Sequence, residues 1–567
     1  MKKFFLAVCI ALAGPVYAQY TFEHIYGSTA IEETQWGLNM VQAPAGYLIS
    51  GVVRTPTGAA GRIGVSRTNA TGHVPAGFFN NVYTLFSPTG AQRNVIDAKA
   101  FDWGAATVGL GVAGVCSDPG GVAQQHVYYM RLNANGAPLP AIYYRTPNDQ
   151  RYRLHSVKRA RFGNFVYLAG EAVSSTMGTN RVFVLKLTVA GAIVWGFTYT
   201  DALTPPSVDR AYDVMEDPNT NMVAVVGTTT NNTNGTDAFL LYLNINTGIP
   251  GPPMRMYGTN FSFDQFTAIE YATDPAGPFG YIIGGHSNAN AANNIDAWAL
   301  RMNNAMAINW TRLVDYQGMG VANFGRDVLE TVANNVYEYY VGGYTANGVL
   351  GGPDMVVDKY SAAGGMVFQG TYGNTSPQLL STIDKNAVND ITLFGQSVGP
   401  LPIFGNNDFC IFKTKANGIT ACDYKISDWQ PYDGPKENGT KSYFTKDIFT
   451  RTEGPVQFSS YRDTTICDSI YVPVITPKSA NGKDLELNIY SAGETGMTVA
   501  IANAENAPAE LTVTDITGRI LYQAKVMLQE STTYVTLNIG GQVSNGIYLI
   551  TLRQGAHVET RKVLISK

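Results

Sequence analysis

The chain has 567 residues, of which only 14% are charged, with 59 Gly, 33 Tyr and 25 Phe and a net charge of −4. Scarce charge with abundant glycine and aromatic residues is the profile of a turn-rich β protein with ample core. The weakly negative balance excludes a basic field for nucleic acid, and no charge run forms a polybasic membrane segment.

Residues 1–18 read MKKFFLAVCIALAGPVYA. Two lysines, an apolar core and Val16-Tyr17-Ala18 before Gln19 are the layout of a secretory signal peptide. Cys9 lies inside the apolar core and lacks the residues after it that mark a lipoprotein cleavage site. No later segment reaches the ~18 consecutive apolar residues of a membrane span, so the mature chain is expected to be soluble or held at a surface by other means.

Seven short apolar runs then stop on glycine: YLISG at Gly51, LGVAG at Gly114, VYLAG at Gly170, VAVVG at Gly227, YIIGG at Gly285, YYVGG at Gly343 and ITLFG at Gly395. Subtraction gives intervals of 63, 56, 57, 58, 58 and 52 residues, each the length of a four-stranded antiparallel sheet with its turns. A period of that size built from strands predicts propeller blades. In the fifth repeat the strands are predicted at 265–273, at GYIIGG ending at Gly285, at 296–302 and at 308–316, each bounded by Asn, Gly or Pro.

The third strand of each repeat ends at Arg67, Arg131, Lys186, Tyr242, Arg301, Lys359 or Lys413, six cations in seven. Aspartate opens it in the last four repeats, at Asp237, Asp296, Asp354 and Asp408. Repetition alone explains both features, the carboxylate closing the preceding turn onto a backbone N–H and the cation sitting at an exposed strand end. The fourth strand tends to finish on tyrosine, as at Tyr199, Tyr257, Tyr316 and Tyr372, and the same ending appears at Tyr26 and Tyr424. With eight such endings for seven sets of the other strands, one end of the chain is expected to complete a shared blade, since an open edge is a template for aggregation. A seven-bladed β-propeller over residues 19–425 follows. These repeats resemble those of secreted Bacteroidetes-type propeller proteins, most closely in DMVVDKYSAAGGMVFQGTYG at 354–373.

The repeats carry little that reads as chemistry. Gly395-Gln396-Ser397-Val398-Gly399 has the G-x-S-x-G form of a nucleophile elbow, but that motif needs a strand-to-helix turn, and strand is predicted after the repeat glycine. The histidines His24, His73, His126, His155, His286 and His557 are scattered and never at metal-ligand spacing. His286 and Tyr344 hold equivalent places after repeat glycines, where either would line one face. No catalytic, cofactor-binding or metal-binding residue is assigned. Tyrosine and tryptophan faces suit sugars, yet most of these tyrosines fall at strand positions that fill the packing between blades.

After Lys425 the pattern stops. Residues 426–483 are polar, irregular and broken by Pro431, Pro435 and Pro455, which predicts a connecting segment with at most one small sheet. Four cysteines follow the leader. Cys410 and Cys422 flank a hairpin turn at Ala416-Asn417-Gly418 and are expected to face each other, leaving Cys116 with Cys467. From 484 to 567 seven short strands return, which suits an Ig-like β-sandwich.

In that last stretch LTVTDITGRILYQAKV with Gly518, NGIYLITLRQG with Gly546 and Tyr548, and RKVLISK with Lys562 resemble the type A C-terminal sorting domain of type IX secretion cargo. Ser491-Ala492-Gly493-Glu494 stands where that family has Pro-Asn-Pro. The resemblance implies export by the type IX machinery, display at the outer cell surface and attachment to surface lipopolysaccharide. The whole is expected to be a secreted, non-enzymatic binding or adhesion protein for an unknown protein or glycan. The alternatives are a glycan-active hydrolase or lyase with a central cleft, and a structural part of a surface or motility assembly.

Overall fold

The computed structural model describes most of residues 19–471 and 486–565, short loops excepted; the leader at 1–18 and residues 472–485 lie outside the described residues. Every element among the described residues is a β-strand. The chain divides into two compact units, one of residues 24–418 with 423–465 and the other holding residues 466–567.

The larger unit is built from consecutive antiparallel sheets that follow the glycine period. Glu32–Ala43, Gly46–Arg54, Arg62–Asn69 and Phe79–Leu85 form the first, and Asn94–Asp102, Leu110–Ser117, Gln125–Leu132 and Ala141–Arg145 the second. The third holds Asp149–Arg159, Phe165–Ser174, Asn180–Thr188 and Ile193–Asp201; the fourth, Asp209–Asp217, Met222–Asn231, Gly235–Asn244 and Met254–Gly258. Ser262–Ala272, Gly280–Ser287, Asp296–Asn303 and Ile308–Val314 make the fifth, joined to the fourth by a two-residue parallel bridge at Gly235 and Thr236. Asn323–Ala333, Val336–Thr345, Asp354–Ser361 and Met366–Tyr372 make the sixth. The seventh holds Gln378–Lys385, Ile391–Val398 and Asn407–Lys413.

The first strand of each sheet packs on the first strand of the next, and Gln378–Lys385 of the seventh packs on Glu32–Ala43 of the first. The core is laid between consecutive sheets. Leu48, Ile63 and Tyr83 of the first meet Val95, Val112 and Tyr128 of the second, and Tyr167, Val184 and Tyr199 of the third meet Val214, Val225 and Phe239 of the fourth. Fully buried second and third strands explain their continuous apolar runs.

The repeat glycines answer to a steric demand of the first strand. In the third to seventh sheets that strand carries a bulge, which leaves His155, Tyr212, Thr267, Arg326 and Ser381 without a cross-strand partner. The residue just before each bulge pairs with the repeat glycine, respectively Gly170, Gly227, Gly285, Gly343 and Gly395. A Cβ at these glycines would lie 1.9, 1.9, 1.9, 2.0 and 1.9 Å from a backbone carbonyl oxygen of the first strand. Only glycine admits so close an approach.

Tyrosines and cations lock neighbouring sheets. Hydroxyls of Tyr83, Tyr144, Tyr199 and Tyr372 donate to the carbonyls of Gly136, Gly191, Gly248 and Gly418 at 2.7, 2.6, 2.8 and 2.7 Å. Each acceptor is a turn glycine of the following sheet with φ between 69° and 80°, the left-handed region that suits glycine. Four of the six strand-end cations expected at exposed positions are instead buried: Lys186, Arg301, Lys359 and Lys413 are between 2% and 6% exposed, while Arg67 and Arg131 are half-buried. Lys186 and Lys359 donate to the carbonyls of Ile245 and Ala416 in the same turns of the next sheet, at 2.9 and 3.2 Å. A buried ammonium needs such acceptors, so the repeated cation marks a sheet-to-sheet contact.

Residues 424–471, expected as part of a connecting segment, supply a further strand to sheet after sheet. Tyr424–Ser427 pairs with the sixth sheet, Lys436–Lys441 with the fourth, Tyr443–Ile448 with the third, Thr450–Gly454 with the second and Val456–Ser460 with the first. On the fifth, Thr311 Oγ1 donates to the Pro435 carbonyl at 3.3 Å. The segment thus follows the sheets in reverse order, and Pro435 and Pro455 fall between successive pairings, where no ladder N–H is required. Phe449, 3% exposed, inserts beside Tyr152 and Phe183 with ring centroids 5.9 and 5.6 Å away. Lys441 pairs with Asp201 at 2.7 Å.

In the other unit Glu486–Ala492, Met497–Ala502 and Thr533–Leu537 form a three-stranded sheet, and Ile520–Met527, Pro508–Asp515, Gly546–Gln554 and His557–Ile565 a four-stranded one. Both contribute to one core of Val499, Ile501, Leu511, Val513, Leu537, Ile550 and Leu552.

Candidate functional site

The first strands enclose two adjoining cavities, one of about 550 Å³ and one of about 260 Å³. Lys99, His155, Tyr212, Thr267, Arg326 and Ser381 line both. These six come from the second to seventh sheets, one each, and five are the bulge residues. A bulge turns its extra side chain off the ladder, which is how these residues reach the interior.

The narrower cavity is ionic. Its lining includes Lys158, Asp213, Glu270, Asp327 and Asp384. Burial pushes Glu270 up to about 7 and Asp327 up to about 6. Burial opposes the charge of Lys158, but Asp213, Asp327 and Glu270 outweigh it and hold the ammonium above its ordinary range, with Asp213 at 3.3 Å. Burial lowers Lys99 and raises Asp97.

Several of these carboxylates are committed to backbone. Asp213 accepts from Ser156 Oγ at 2.5 Å and from the amides of Val214 and Ile269, both at 2.9 Å. Asp327 accepts from the amides of Val328 and Ile383, both at 2.9 Å, and from the Thr382 hydroxyl. Asp97 accepts from the Leu154 amide at 3.0 Å. Each stitches its own first strand to that of the next sheet.

The wider cavity is aromatic along one side. Phe263 and His286 stack at 5.7 Å, His286 meets Phe324 edge-on at 5.2 Å, and Phe324 stacks on Tyr344 at 5.0 Å. All four line the cavity. Arg326 lies over the Tyr344 ring, 5.2 Å from its centroid, and donates to its hydroxyl at 3.0 Å. Gln396, fully buried, also lines it, with neither its amide nitrogen nor its oxygen partnered. His286, 4% exposed, has an unpartnered Nδ1, and burial lowers its pKa to about 3, so the ring is neutral. His155 is 4.7 Å from the Tyr212 ring and 3.7 Å from Glu171. Burial alone would raise Glu171, but His155, Arg210 and Arg153 outweigh it and hold the carboxyl at about 2.

His286 and Tyr344, singled out after their repeat glycines, thus share one wall, and His155 joins them at the junction of the cavities. His126 is elsewhere, beside Asp118 at 3.2 Å. Ser397 sits within a strand, paired with Gln378 and Asp408 and 6% exposed, with none of the exposure of a nucleophile elbow. Asp237, Asp296 and Asp354 are buried. Among the described residues no cluster of three His, Cys, Asp or Glu is arranged to hold a metal ion. Cys116 is a buried thiol that burial pushes up to about 12, and Cys410 is buried in the seventh sheet. The side chains of Cys422 and Cys467 lie outside the described residues, as do Gly518 and the Lys562 side chain; Gly546 opens a strand and Tyr548 is buried in the small unit's core. Arg326 and Phe324 went unnoticed in the sequence, because a bulge residue differs from blade to blade and has no periodic signature.

Residues 494–566 match the secretion system C-terminal sorting domain family. The chain is therefore cargo of type IX secretion, exported to the outer cell surface, and its sorting domain engages that machinery. No curated protein matches the chain. Among solved structures it is similar to PorZ, described as an essential bacterial surface component of the type-IX secretion system of Porphyromonas gingivalis. The two are 10% identical with a TM-score of 0.14, over 96% of this chain and 100% of that one; an overlap that loose establishes no common fold.

Proposed function

We propose that the seven sheets are the blades of a seven-bladed β-propeller and that the protein is a surface-displayed binding protein whose ligand enters the cavity among the first strands. Residues 1–18 are the export leader, 484–567 the sorting domain and anchor, joined to surface lipopolysaccharide, and 424–471 an outer strap on the blades. The cyclic order of first-strand contacts supports the propeller. The observation that carries the binding reading is the wider cavity, where an aromatic wall meets the unpartnered Gln396 carboxamide. Concave, mostly apolar walls with a few convergent polar groups are what ligand sites offer.

The raised carboxyls of Glu270 and Asp327 favour the second reading, a glycan hydrolase, which needs two carboxylates in complementary roles. Asp327 is occupied by two amides and a hydroxyl of the inner strands, and Asp213 likewise, so neither is released to act as Glu270's partner; Asp102 and Asp384 are the other carboxylates of that lining. A glycan and surface-protein binding screen with the mature chain tests the proposal. Saturable binding without turnover, reduced by Phe324→Leu, supports it, whereas release of reducing ends that Glu270→Gln abolishes establishes the hydrolase. Deleting residues 484–567 should trap the protein in the periplasm; surface display of the truncated form would overturn the sorting role.

A further inference from the structure

We infer that the wider cavity takes an anionic saccharide, its ring faces against Phe263, Phe324 and Tyr344 and its acidic group on Arg326. The inference rests on the cavity being the ligand site and adds the class of ligand.

Three independent features of the wall converge on that class. Aromatic faces present apolar area with a negative quadrupole, which suits the C–H face of a pyranose ring, and here three such rings and His286 run in one continuous series across the fifth and sixth sheets. Gln396 offers an unpartnered donor and an unpartnered acceptor from one buried carboxamide, and His286 adds an unpartnered ring nitrogen. Leaving such groups unsatisfied forfeits the hydration they have given up. A purely apolar ligand leaves that cost standing, whereas sugar hydroxyls, which both donate and accept, remove it. The third feature is charge. Arg326 reaches both cavities, lies over the Tyr344 ring and donates to its hydroxyl, and is in no ion pair among the described residues. In the lining of the wider cavity Lys99 and Arg153 are the other cations and Asp97 the one carboxylate, with Lys99 and Asp97 both shifted toward their neutral forms by burial. Asp213, Glu270, Asp327 and Asp384 belong to the narrower cavity that Arg326 also reaches. A planar guanidinium held in place recognises a carboxylate or sulfate through paired hydrogen bonds. The cavity of about 550 Å³ holds one or two sugar rings.

The test is isothermal titration of the full mature chain with an oligogalacturonate, a sulfated glycosaminoglycan oligosaccharide and a neutral cello-oligosaccharide of equal length. Binding of one or both acidic sugars is expected, with the neutral sugar at least 10-fold weaker; which acidic arm binds separates a carboxylate from a sulfate. Loss of a charge-assisted bond in Arg326→Gln should weaken binding about 10- to 100-fold, Arg326→Lys should recover part of it, and Phe324→Leu should weaken acidic and neutral sugars alike. Thermal melting of each variant checks that it is folded, and Gln396→Leu serves if an Arg326 variant is not. Equal binding of neutral and acidic sugars, unchanged by Arg326→Gln, overturns the anionic class. If no sugar binds but a protein ligand is captured and lost on Phe324→Leu, the saccharide inference fails while the cavity remains the binding site; capture insensitive to every cavity variant defeats both.

Discussion

Replacing Gly227 by alanine tests why the period of this chain is written in glycine. The added Cβ would lie 1.9 Å from the Arg210 carbonyl oxygen and 2.8 Å from the Phe239 ring. The ring can turn, but the oxygen belongs to the paired first strand, so the two strands must part by more than 1 Å to reach the roughly 3.4 Å of ordinary contact. Parting them loosens the Ala211 pairing and the bulge at Tyr212. Overpacking of this kind costs about 3 kcal/mol, a roughly hundredfold change in the folding equilibrium. Gly365→Ala is the matched control, since its Cβ would meet only Ser361 Oγ at 3.4 Å. Equilibrium urea denaturation followed by tryptophan fluorescence and by circular dichroism reads both variants. A midpoint for Gly227→Ala indistinguishable from that of Gly365→Ala would refute the close-approach account of the repeat.

Tyr199→Phe should cost about 1 kcal/mol by stranding the Gly248 carbonyl, and faster amide exchange in the turn at 244–248 is the local readout. Phe449→Ala should cost about 3 kcal/mol by emptying the space beside Tyr152 and Phe183; limited proteolysis should then cut within 424–471 before it cuts the sheets. Glu171 is held at about 2 against an ordinary 4.5. Its folded value is depressed, so its stabilisation is full above pH 4.5 and is lost as pH falls from there toward 2. Glu171→Gln should therefore lower the melting temperature at pH 6 and narrow its gap to the native chain at pH 2.5. Glu270, raised from 4.5 to about 7, runs the other way: ionising it in the fold is a cost that appears above pH 4.5 and is complete above 7. Glu270→Gln should melt higher than the native chain at pH 8 and equal to it below pH 4.5; a lower melt at pH 8 would show that Lys158 depends on that charge.

The parts legible in the sequence were those that repetition writes out. The second strands carry an apolar run up to the repeat glycine, the third a cation and the fourth a tyrosine near their ends, because in several sheets such a residue makes the same contact with its neighbour. The exposure of the cations was not legible: Lys186 and Arg301 read as exposed strand ends, yet the following sheet covers them through the Ile245 carbonyl and the Tyr339 hydroxyl, and no local pattern reports neighbours 59 and 38 residues away. The segment at 424–471 misled for another reason. An edge strand paired on one side needs no apolar alternation, and its prolines fall where it crosses between sheets, so it reads as loop. Phe449 is one of several aromatics in that stretch, and nothing in the sequence marks it as the one that enters a core.

The glycine and the site turn out to be two sides of one backbone feature. A bulge on the first strand forces its preceding carbonyl toward the second strand, which admits only glycine there, and the same bulge swings one extra side chain into the cavity. The first consequence is steric and must be constant, so it surfaces as a period in the sequence. The second is unconstrained by the ladder, so the residue varies: His155, Tyr212, Thr267, Arg326 and Ser381 differ in charge, size and hydrogen-bonding capacity while occupying one structural position. Such an arrangement separates folding from recognition within a single bulge, since exchanging the bulge side chain alters the lining without touching the close approach that glycine permits. Substituting Arg326 should for that reason change what the cavity holds far more than it changes stability, and substituting Gly343, which pairs with Gly325 just before the bulge, should do the reverse.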